Sequence, residues 1–572
     1  MFDSYPDWAR EFAQKYLSKA INEFILHGNI NDYVQKTGDT DDDVDFVKLR
    51  KYVADELFGA RDIVLFYDRS GGIQFRDKES RVDFSRAISG HDSIAGTEYA
   101  KKLPRDPVRV FDVLEKYFRV RLNEGKSVGL VIDYAETIVP MNEGGSASSE
   151  DRNSLVFLLK WAHDAQFLAG DFTVVLLTEN LNDLNKNLIQ SPYVTEIKID
   201  FPGKDQRRQY IDYFFAGDEN PPIVKVPFEV LAQQTAGLSL VNLNGMLSSA
   251  VENETPITFD QLTINKKELI EAEAYGLLEF IETKYTLDDV AGHKRVKEHL
   301  REASNALKNG RQDVMPMGYL VCGPVGTGKT FIVTSFAGEI GVPMVKLKNF
   351  RSQWQGVTEG NLEKILALLK AMAPVAVMID EADAYLGDRN SGGDSGVSSR
   401  VFSQIAQFMS NTENRGRIVW FLMTARPDLM PVDLKRQGRA EEHIALFHPS
   451  TKEEREELFN VMKKKTGLQL TKNVIPDVVN DEKSTISGAD MEAALTRAKF
   501  KAASKGQVKV TPEMLNETFA DFRPSTYPAE IRLQTLCAVV ECTSKALLPD
   551  EFREDDSEVL RQEIDLLKLK VR

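Results

Sequence analysis

Residues 323–330 read Gly-Pro-Val-Gly-Thr-Gly-Lys-Thr, a GxxxxGK[ST] spacing set between the apolar run GYLVC and the amphipathic run FIVTSFAG. Glycines at that spacing let backbone N–H groups converge on phosphate oxygens, and a helix starting there adds the positive end of its dipole. Lys329 is expected to reach the β- and γ-phosphates, and the Thr330 hydroxyl to hold Mg²⁺. About 50 residues further on, Asp380 ends the apolar run VAVMID. A carboxylate at the end of a buried strand beside a phosphate loop suits holding Mg²⁺ through water, and Glu381 next to it suits a general base that polarises the attacking water. The chemistry implied is metal-assisted cleavage of a nucleoside triphosphate. The plainer alternatives are a Gly-rich turn with a stray lysine and a pair of capping acids. A strand before the loop and a helix after it argue against them.

The run GLVIDYAETIVP at Gly129 resembles AVMIDEADAYLG at Ala376, and the likeness continues beyond both. Asp133 and Asp380, Thr178 and Thr424, Phe201 and Phe447, and Asn242 and Asp490 are matched in order at a nearly constant offset of about 247 residues, which marks an internal repeat. Each copy alternates short β-branched runs with stretches of helical period, so each predicts a parallel sheet covered on both faces. The fold class is α/β: two P-loop-type parallel-sheet αβα sandwich modules, each followed by a small helical lid. The expected boundaries are an N-terminal helical segment over 1–50, a degenerate α/β domain over 51–201 with its lid over 202–262, a linker over 263–284, an intact α/β domain over 285–448 with its lid over 449–523, and a C-terminal helical extension over 524–572. The first copy lacks GxxxxGK[ST]. Its phosphate-loop place is assigned to DIVLFYDRSGGIQF, which has Gly71 and Gly72 but no lysine, and Tyr134 stands where the second copy has Glu381. The first copy reads as a fold without the catalyst.

Composition narrows the classes. The 572 residues carry 72 basic and 87 acidic side chains, a formal charge of −15, which disfavours general nucleic-acid binding. No apolar run approaches the ~18 residues of a membrane span, and the N-terminus lacks the pattern of a signal peptide. Three cysteines suit a reducing compartment, and the seven histidines form no zinc spacing. A cytoplasmic protein is expected.

From about Tyr285 to Phe522 the second copy resembles the AAA family of AAA+ ATPases, through YTLDDVAG, the phosphate loop, MIDEAD and SGADMEAAL. The first copy resembles the same fold only through the repeat, so the whole is similar to a tandem AAA protein with one live ATPase position. The resemblance implies ATP as the nucleotide. The contacts it implies are Val290, Ala291 and Gly292 at the adenine, then Gly323, Pro324, Val325, Gly326, Thr327, Gly328, Lys329, Thr330 and Phe331, with Gly488 and Ala489 from the lid. It implies that Arg436 and Arg439 reach the γ-phosphate of a neighbouring subunit, and hence a homo-oligomeric ring, most simply a hexamer. The family usually writes Arg-Pro-Gly-Arg-Phe there, and this chain writes Arg-Gln-Gly-Arg-Ala. Trp354, Gln355 and Gly356 stand at the family's first pore loop, where a Trp would grip an extended polypeptide substrate. The family's sensor strand usually ends Thr-Asn-Arg-Pro. Here Thr424 is followed by Ala425, which cannot orient water, so hydrolysis is expected to be slow, with Thr424 as the substitute. The leading expectation is a ring ATPase that remodels or threads protein substrates. The alternative is a nucleotide-gated assembly factor or scaffold with slow hydrolysis, for example beside a bacterial contractile injection particle.

Overall fold

Short apolar runs without polar alternation become strands buried on both faces, and such strands form most of both sheets of this chain. The computed structural model describes all residues except 1–4, 20, 38–43, 142–147, 217, 219–220, 275, 310, 349–358, 387–396, 481–485, 524–526, 555–556 and 572. Two units separate, one built mainly from the first 274 residues and the other mainly from the rest.

The first unit contains β1 (Glu23–Gly28), β2 (Tyr33–Thr37), β3 (Val44–Lys48), β4 (Ile63–Asp68), β5 (Gly72–Phe75), β6 (Val128–Ile132), β7 (Phe172–Thr178) and β8 (Val194–Ile199). Its sheet runs β5-β4-β6-β7-β1-β8, parallel except for β5, which turns back on β4, while β2 and β3 form a separate hairpin. Helix α1 (Asp7–Leu17) buries Ala9 and Phe12 on one face of this sheet, with Phe24 and Leu26 of β1 and with the short α2 (Leu49–Tyr52). On the other face lie α3 (Pro107–Asn123) and α4 (Ser149–His163). Asp106 caps α3 by accepting from Arg109 N–H, and Pro107 opens it, where a missing N–H does no harm. Trp161 of α4 is fully buried against Phe111, Phe118 and Phe172, with ring centroids 5.3–6.0 Å apart. The lid comprises α5 (Lys204–Phe214), α6 (Phe228–Gln234), α7 (Leu240–Glu252) and α8 (Phe259–Glu273) around Ile211, Leu231, Leu243 and Leu262.

The second unit contains β9 (Leu278–Ile281), β10 (Gly318–Cys322), β11 (Met344–Leu347), β12 (Val375–Ile379), β13 (Ile418–Thr424) and β14 (Glu442–Ala445), in the order β14-β10-β13-β12-β11-β9 with β9 antiparallel. Its helices include α9 (Lys294–Lys308), α10 (Lys329–Ile340) and α11 (Ala382–Leu386), then the lid helices α12 (Lys452–Thr466), α13 (Gly488–Ser504) and α14 (Pro512–Asp521). Two C-terminal helices follow, α15 (Pro528–Glu541) and α16 (Ser557–Lys570). Alternate residues of β10 face opposite cores. Tyr319 and Val321 join α10 and α9, whereas Cys322 packs with Leu533, Leu536 and Ile564 of the C-terminal pair. Among the described residues no helix is long and apolar enough to cross a membrane.

Read from the same edge, the two sheets have one order: β8-β1-β7-β6-β4-β5 against β14-β10-β13-β12-β11-β9. This corrects three expectations. The strand equivalent to β10 is β1, so residues 1–50 are not a separate helical segment but supply an inner strand of the first sheet. The β4–β5 hairpin with Gly71 and Gly72 stands at the place of β11 and β9, not of the phosphate loop. The expected linker over 263–284 holds the end of α8 and the edge strand β9. Removing the aromatic body at the centre of the first core is expected to be expensive. Trp161→Ala should lower the unfolding free energy of this unit by about 3–5 kcal/mol in a urea titration, because neighbouring rings cannot close the cavity.

Candidate nucleotide site

Between β10 and α10 the chain must leave a strand, turn back, and present its amides inward. Gly323 does this at φ +146°, where a Cβ would lie 2.1 Å from the Leu446 carbonyl oxygen, so no other residue fits. Gly326, at φ +84°, passes so close to the lid that a Cβ would meet the Ser487 side chain at 2.7 Å. Lys329 opens α10, and its ammonium donates to the carbonyls of Gly323 and Pro324 at 2.8 and 2.9 Å. Burial lowers its pKa, opposed by the carboxylates of Asp380 and Asp383. The loop thus holds its own lysine at the start of α10, and a cation beside a helix N-terminus supplies the electrostatics an anionic phosphate requires.

Asp380 follows β12. Its Oδ2 lies 3.4 Å from the Thr330 hydroxyl and 3.4 Å from the ammonium of Lys346 on β11. Two hard oxygen donors at the mouth of a phosphate loop fit Mg²⁺, which keeps most of its waters and takes few protein ligands. Glu381 is exposed and stands at φ +51°, a left-handed backbone that costs on the order of 1–2 kcal/mol. Thr424, buried at the end of β13, donates its only hydroxyl proton to Asp383 at 2.6 Å and accepts from Arg426 N–H at 2.8 Å. It therefore anchors Asp383 rather than a water.

Around the loop, His293 approaches the Thr327 carbonyl at 3.2 Å, so the Val290–Gly292 segment is tied to the phosphate loop. Gly292 is left-handed at φ +64° and lies against Glu454 of α12, and Ala291 packs on the lid core. The Phe331 ring lies tilted against that of Tyr285, with centroids 5.2 Å apart. Gly488 and Ala489 open α13 behind the Ser487 cap, and a Cβ on Gly488 would be 3.8 Å from the Gly326 carbonyl oxygen. Arg436 is exposed, whereas Arg439 donates to the Asp433 carbonyl at 2.7 Å. Trp354, Gln355 and Gly356 lie outside the described residues. Sequence reasoning missed Lys346 and His293, because each reaches the site through strand or helix geometry, and it gave Asp383, the last residue of MIDEAD, no role.

The first unit shows what became of the twin site. Tyr134 keeps the left-handed backbone of Glu381, at φ +52°, but its side chain is 64% exposed and carries no carboxylate. Gly28 matches Gly323: it stands at φ +98°, and a Cβ would lie 2.6 Å from the Ile199 carbonyl oxygen. After Gly28, however, the chain enters the β2–β3 hairpin instead of a helix, so the loop does not lead into a helix of its own. Asp32 of this loop is 4% exposed and accepts from Leu240 and Val241 N–H at 3.0 and 2.9 Å, from Tyr33 N–H at 2.9 Å and from Asn29 Nδ2 at 2.8 Å. Leu240 and Val241 open α7 behind the Ser239 cap, the positions that Gly488 and Ala489 hold on α13. An internal carboxylate fills the anion site of the first lid helix. Asp133, matched to Asp380, is buried beside Arg50 at 3.2 Å; burial outweighs that pair and pushes its carboxyl up to about 6.

Comparison with known proteins agrees with this division. Residues 2–200 match the model of the AAA+ chaperone N-terminal Rossmann-like domain, residues 205–275 that of the AAA+ chaperone second helical domain, and residues 319–447 that of the ATPase family associated with various cellular activities. The cell division cycle protein 48 homolog of Archaeoglobus fulgidus is 26% identical over 69% of this chain and 59% of its own length. The ATP-dependent zinc metalloprotease FtsH of Caldicellulosiruptor bescii is 32% identical over 42% of this chain and 40% of its own length. FtsH of Thermus thermophilus is 32% identical over 41% and 38%. The chain thus spans less than two thirds of each of these relatives.

Two outcomes follow for the first unit. Asp32→Ala should cost on the order of 1.5–3 kcal/mol, since it strands buried amides, and hydrogen exchange at Leu240 and Val241 should accelerate. Asp133 has a folded pKa above its ordinary 3.8, so folding favours its proton. That contribution is full below pH 3.8 and is lost as pH rises through 6. Asp133→Asn should therefore stabilise the unit at pH 8 by an amount on the order of 2–3 kcal/mol, read as a raised melting temperature, and leave stability nearly unchanged at pH 4.

Proposed function

The chain belongs to the AAA+ ATPases, as a tandem of an AAA+ chaperone N-terminal module and an AAA module, and we infer that ATP is bound and hydrolysed only in the second. The observation that carries this reading is the cluster of Lys329, Thr330, Asp380 and Glu381 at the mouth of one glycine loop, with Thr330 and Asp380 oxygens 3.4 Å apart. Loop amides and Lys329 bind the β- and γ-phosphates, and Lys329 exchanges its two carbonyl partners for phosphate oxygens. Thr330 and Asp380 would hold Mg²⁺, which would supply charge neutralisation of the polyphosphate. Glu381 takes a proton from the attacking water. Thr424 is a positioning residue: it fixes Asp383 at the start of α11. The segments 290–292 and 488–489 enclose the adenine between sheet and lid.

Arg436 and Arg439 sit on the segment before β14, and neither hydrogen-bonds to Lys329, Thr330 or Asp380 among the described residues. Arg436, exposed and with no side-chain hydrogen bond among those residues, is the better placed to enter a neighbour's site, while Arg439 braces the segment through Asp433. This supports a homo-oligomeric ring, proposed as a hexamer; the cytoplasmic location is proposed from the sequence alone. The chaperone descriptions of the matched domains support protein substrates or assemblies as its target, gripped by the loop of Trp354, Gln355 and Gly356. Commitment of the Thr424 hydroxyl to Asp383, with Ala425 beside it, also favours slow turnover, which suits a second reading as a nucleotide-gated scaffold.

Glu381→Gln should retain Mg-ATP binding, lose hydrolysis by a factor of about 10²–10⁴, and accumulate rings visible by light scattering. Loss of binding together with hydrolysis would refute the role given to Glu381. Ala425→Asn should raise kcat at unchanged Kd for ATP; an unchanged kcat would show that the sensor position does not limit the rate. Trp354→Ala separates the two readings: it should abolish substrate processing in a threading motor and change nothing in a scaffold.

A further inference from the structure

The C-terminal helix α15 lies across the ends of β10 and β14, the strands that lead into the phosphate loop and away from the arginine segment. Leu533, Leu536 and Ala538 are fully buried there with Cys322 and Ala445. Two polar contacts interrupt this apolar seam. Gln534, 4% exposed, accepts a hydrogen bond through Oε1 from Val325 N–H at 3.1 Å. Val325 is the tip of the phosphate loop, and its side chain stands in solvent. Glu541 accepts from Lys435 Nζ at 2.9 Å and faces His443 Nδ1 at 3.2 Å. Lys435 immediately precedes Arg436 and also donates to the Pro427 carbonyl at 3.1 Å.

A buried carboxamide is costly unless it is paired, and apolar residues would complete this seam equally well. Gln534 and Glu541 are seven residues apart, two turns along one helix, so both lie on one face. One short rigid rod therefore touches the loop that receives phosphate and the segment that carries the trans-acting arginine. Below it, α16 makes a third contact: Lys568 pairs with Asp428 at 3.2 Å, and Asp428 holds Arg426 through two bonds of 2.9 and 3.0 Å, directly after Thr424 and Ala425.

We propose that α15 is a positioning element of the ATPase site, in which Gln534 sets the tip of the phosphate loop and Glu541 couples that setting to the segment bearing Arg436. The proposal rests on the ATPase reading of the second module and extends it to the C-terminal extension. Phosphate entering the loop shifts Val325, the shift is carried by the rod, and the arginine offered to a neighbouring subunit moves with it. Gln534 and Glu541 then act through other residues and touch no nucleotide.

The test uses the full-length chain, Mg-ATP and steady-state kinetics, with melting temperature recorded for each variant. Gln534→Met keeps the volume and removes the acceptor, and it should raise KM about tenfold with kcat within twofold. Val325→Pro removes the donor at the other end of the same bond. In that background Gln534→Met should change KM by less than twofold. Glu541→Gln should instead lower kcat about tenfold at unchanged KM, because it acts on the finger segment. A tenfold KM effect of Gln534→Met in both backgrounds would overturn the proposal, as would equal losses in kcat and KM that track a fall in melting temperature. Lys329→Ala serves as the separate control: hydrolysis surviving that change sinks the ATPase reading itself, whereas its loss alongside silent Gln534 and Glu541 variants sinks only the coupling.

Discussion

A helix that begins at the carboxyl end of a parallel sheet leaves amides without partners, and something negative must face them. That requirement governs both halves of this chain. In the second module the glycine loop leads into α10, with the Val325 amide taken by Gln534 and Lys329 folded back on two loop carbonyls. In the first, the helix after the loop is gone and the lid helix α7 has its own carboxylate, Asp32. Similar scaffolds therefore end in opposite states: one waits for an external anion, and the other has an internal one fixed by four hydrogen bonds.

The backbone kept what the side chains lost. Tyr134 and Glu381 share a left-handed conformation that neither residue type favours, and Gly28 and Gly323 share a close approach to a neighbouring strand's carbonyl. Such features come from the route the chain must take off a strand, so they persist in a module that lacks the phosphate-loop lysine and the second acid. The carboxylate at 381, the lysine at 329 and the helix behind it are separate requirements, and the first module lacks all three. What it retains is a dense aromatic core around Trp161 and a lid joined to its sheet by Asp32, the properties of a rigid body.

The phosphate loop, the paired acids and the repeat were legible in the sequence because each is a local pattern: a fixed spacing, an apolar run ending in an acid, a constant offset. The register of the first module was not. Its loop strand β1 lies directly after α1, and the β2–β3 hairpin and α2 intervene before β4, so Gly28 and Gly323 are about 50 residues further apart than the other matched pairs. The diglycine at 71–72 drew the assignment because glycines mark turns, and it marks one, the β4–β5 hairpin. Asp32 was hidden for another reason. Its partners are amides some 200 residues away, and no spacing announces a contact made by folding. Lys346 escaped notice likewise, since strand order alone brings it to Asp380. Gln534 lay in an extension with no motif.

Everything rests on the difference between a site that accepts a triphosphate and one already filled from within. Calorimetric titration of the full-length Glu381→Gln chain with Mg-ATP measures that difference directly. The account predicts one nucleotide bound per chain, with binding abolished when Lys329→Ala is added. Two nucleotides per chain, or one that survives the loss of Lys329, would contradict it.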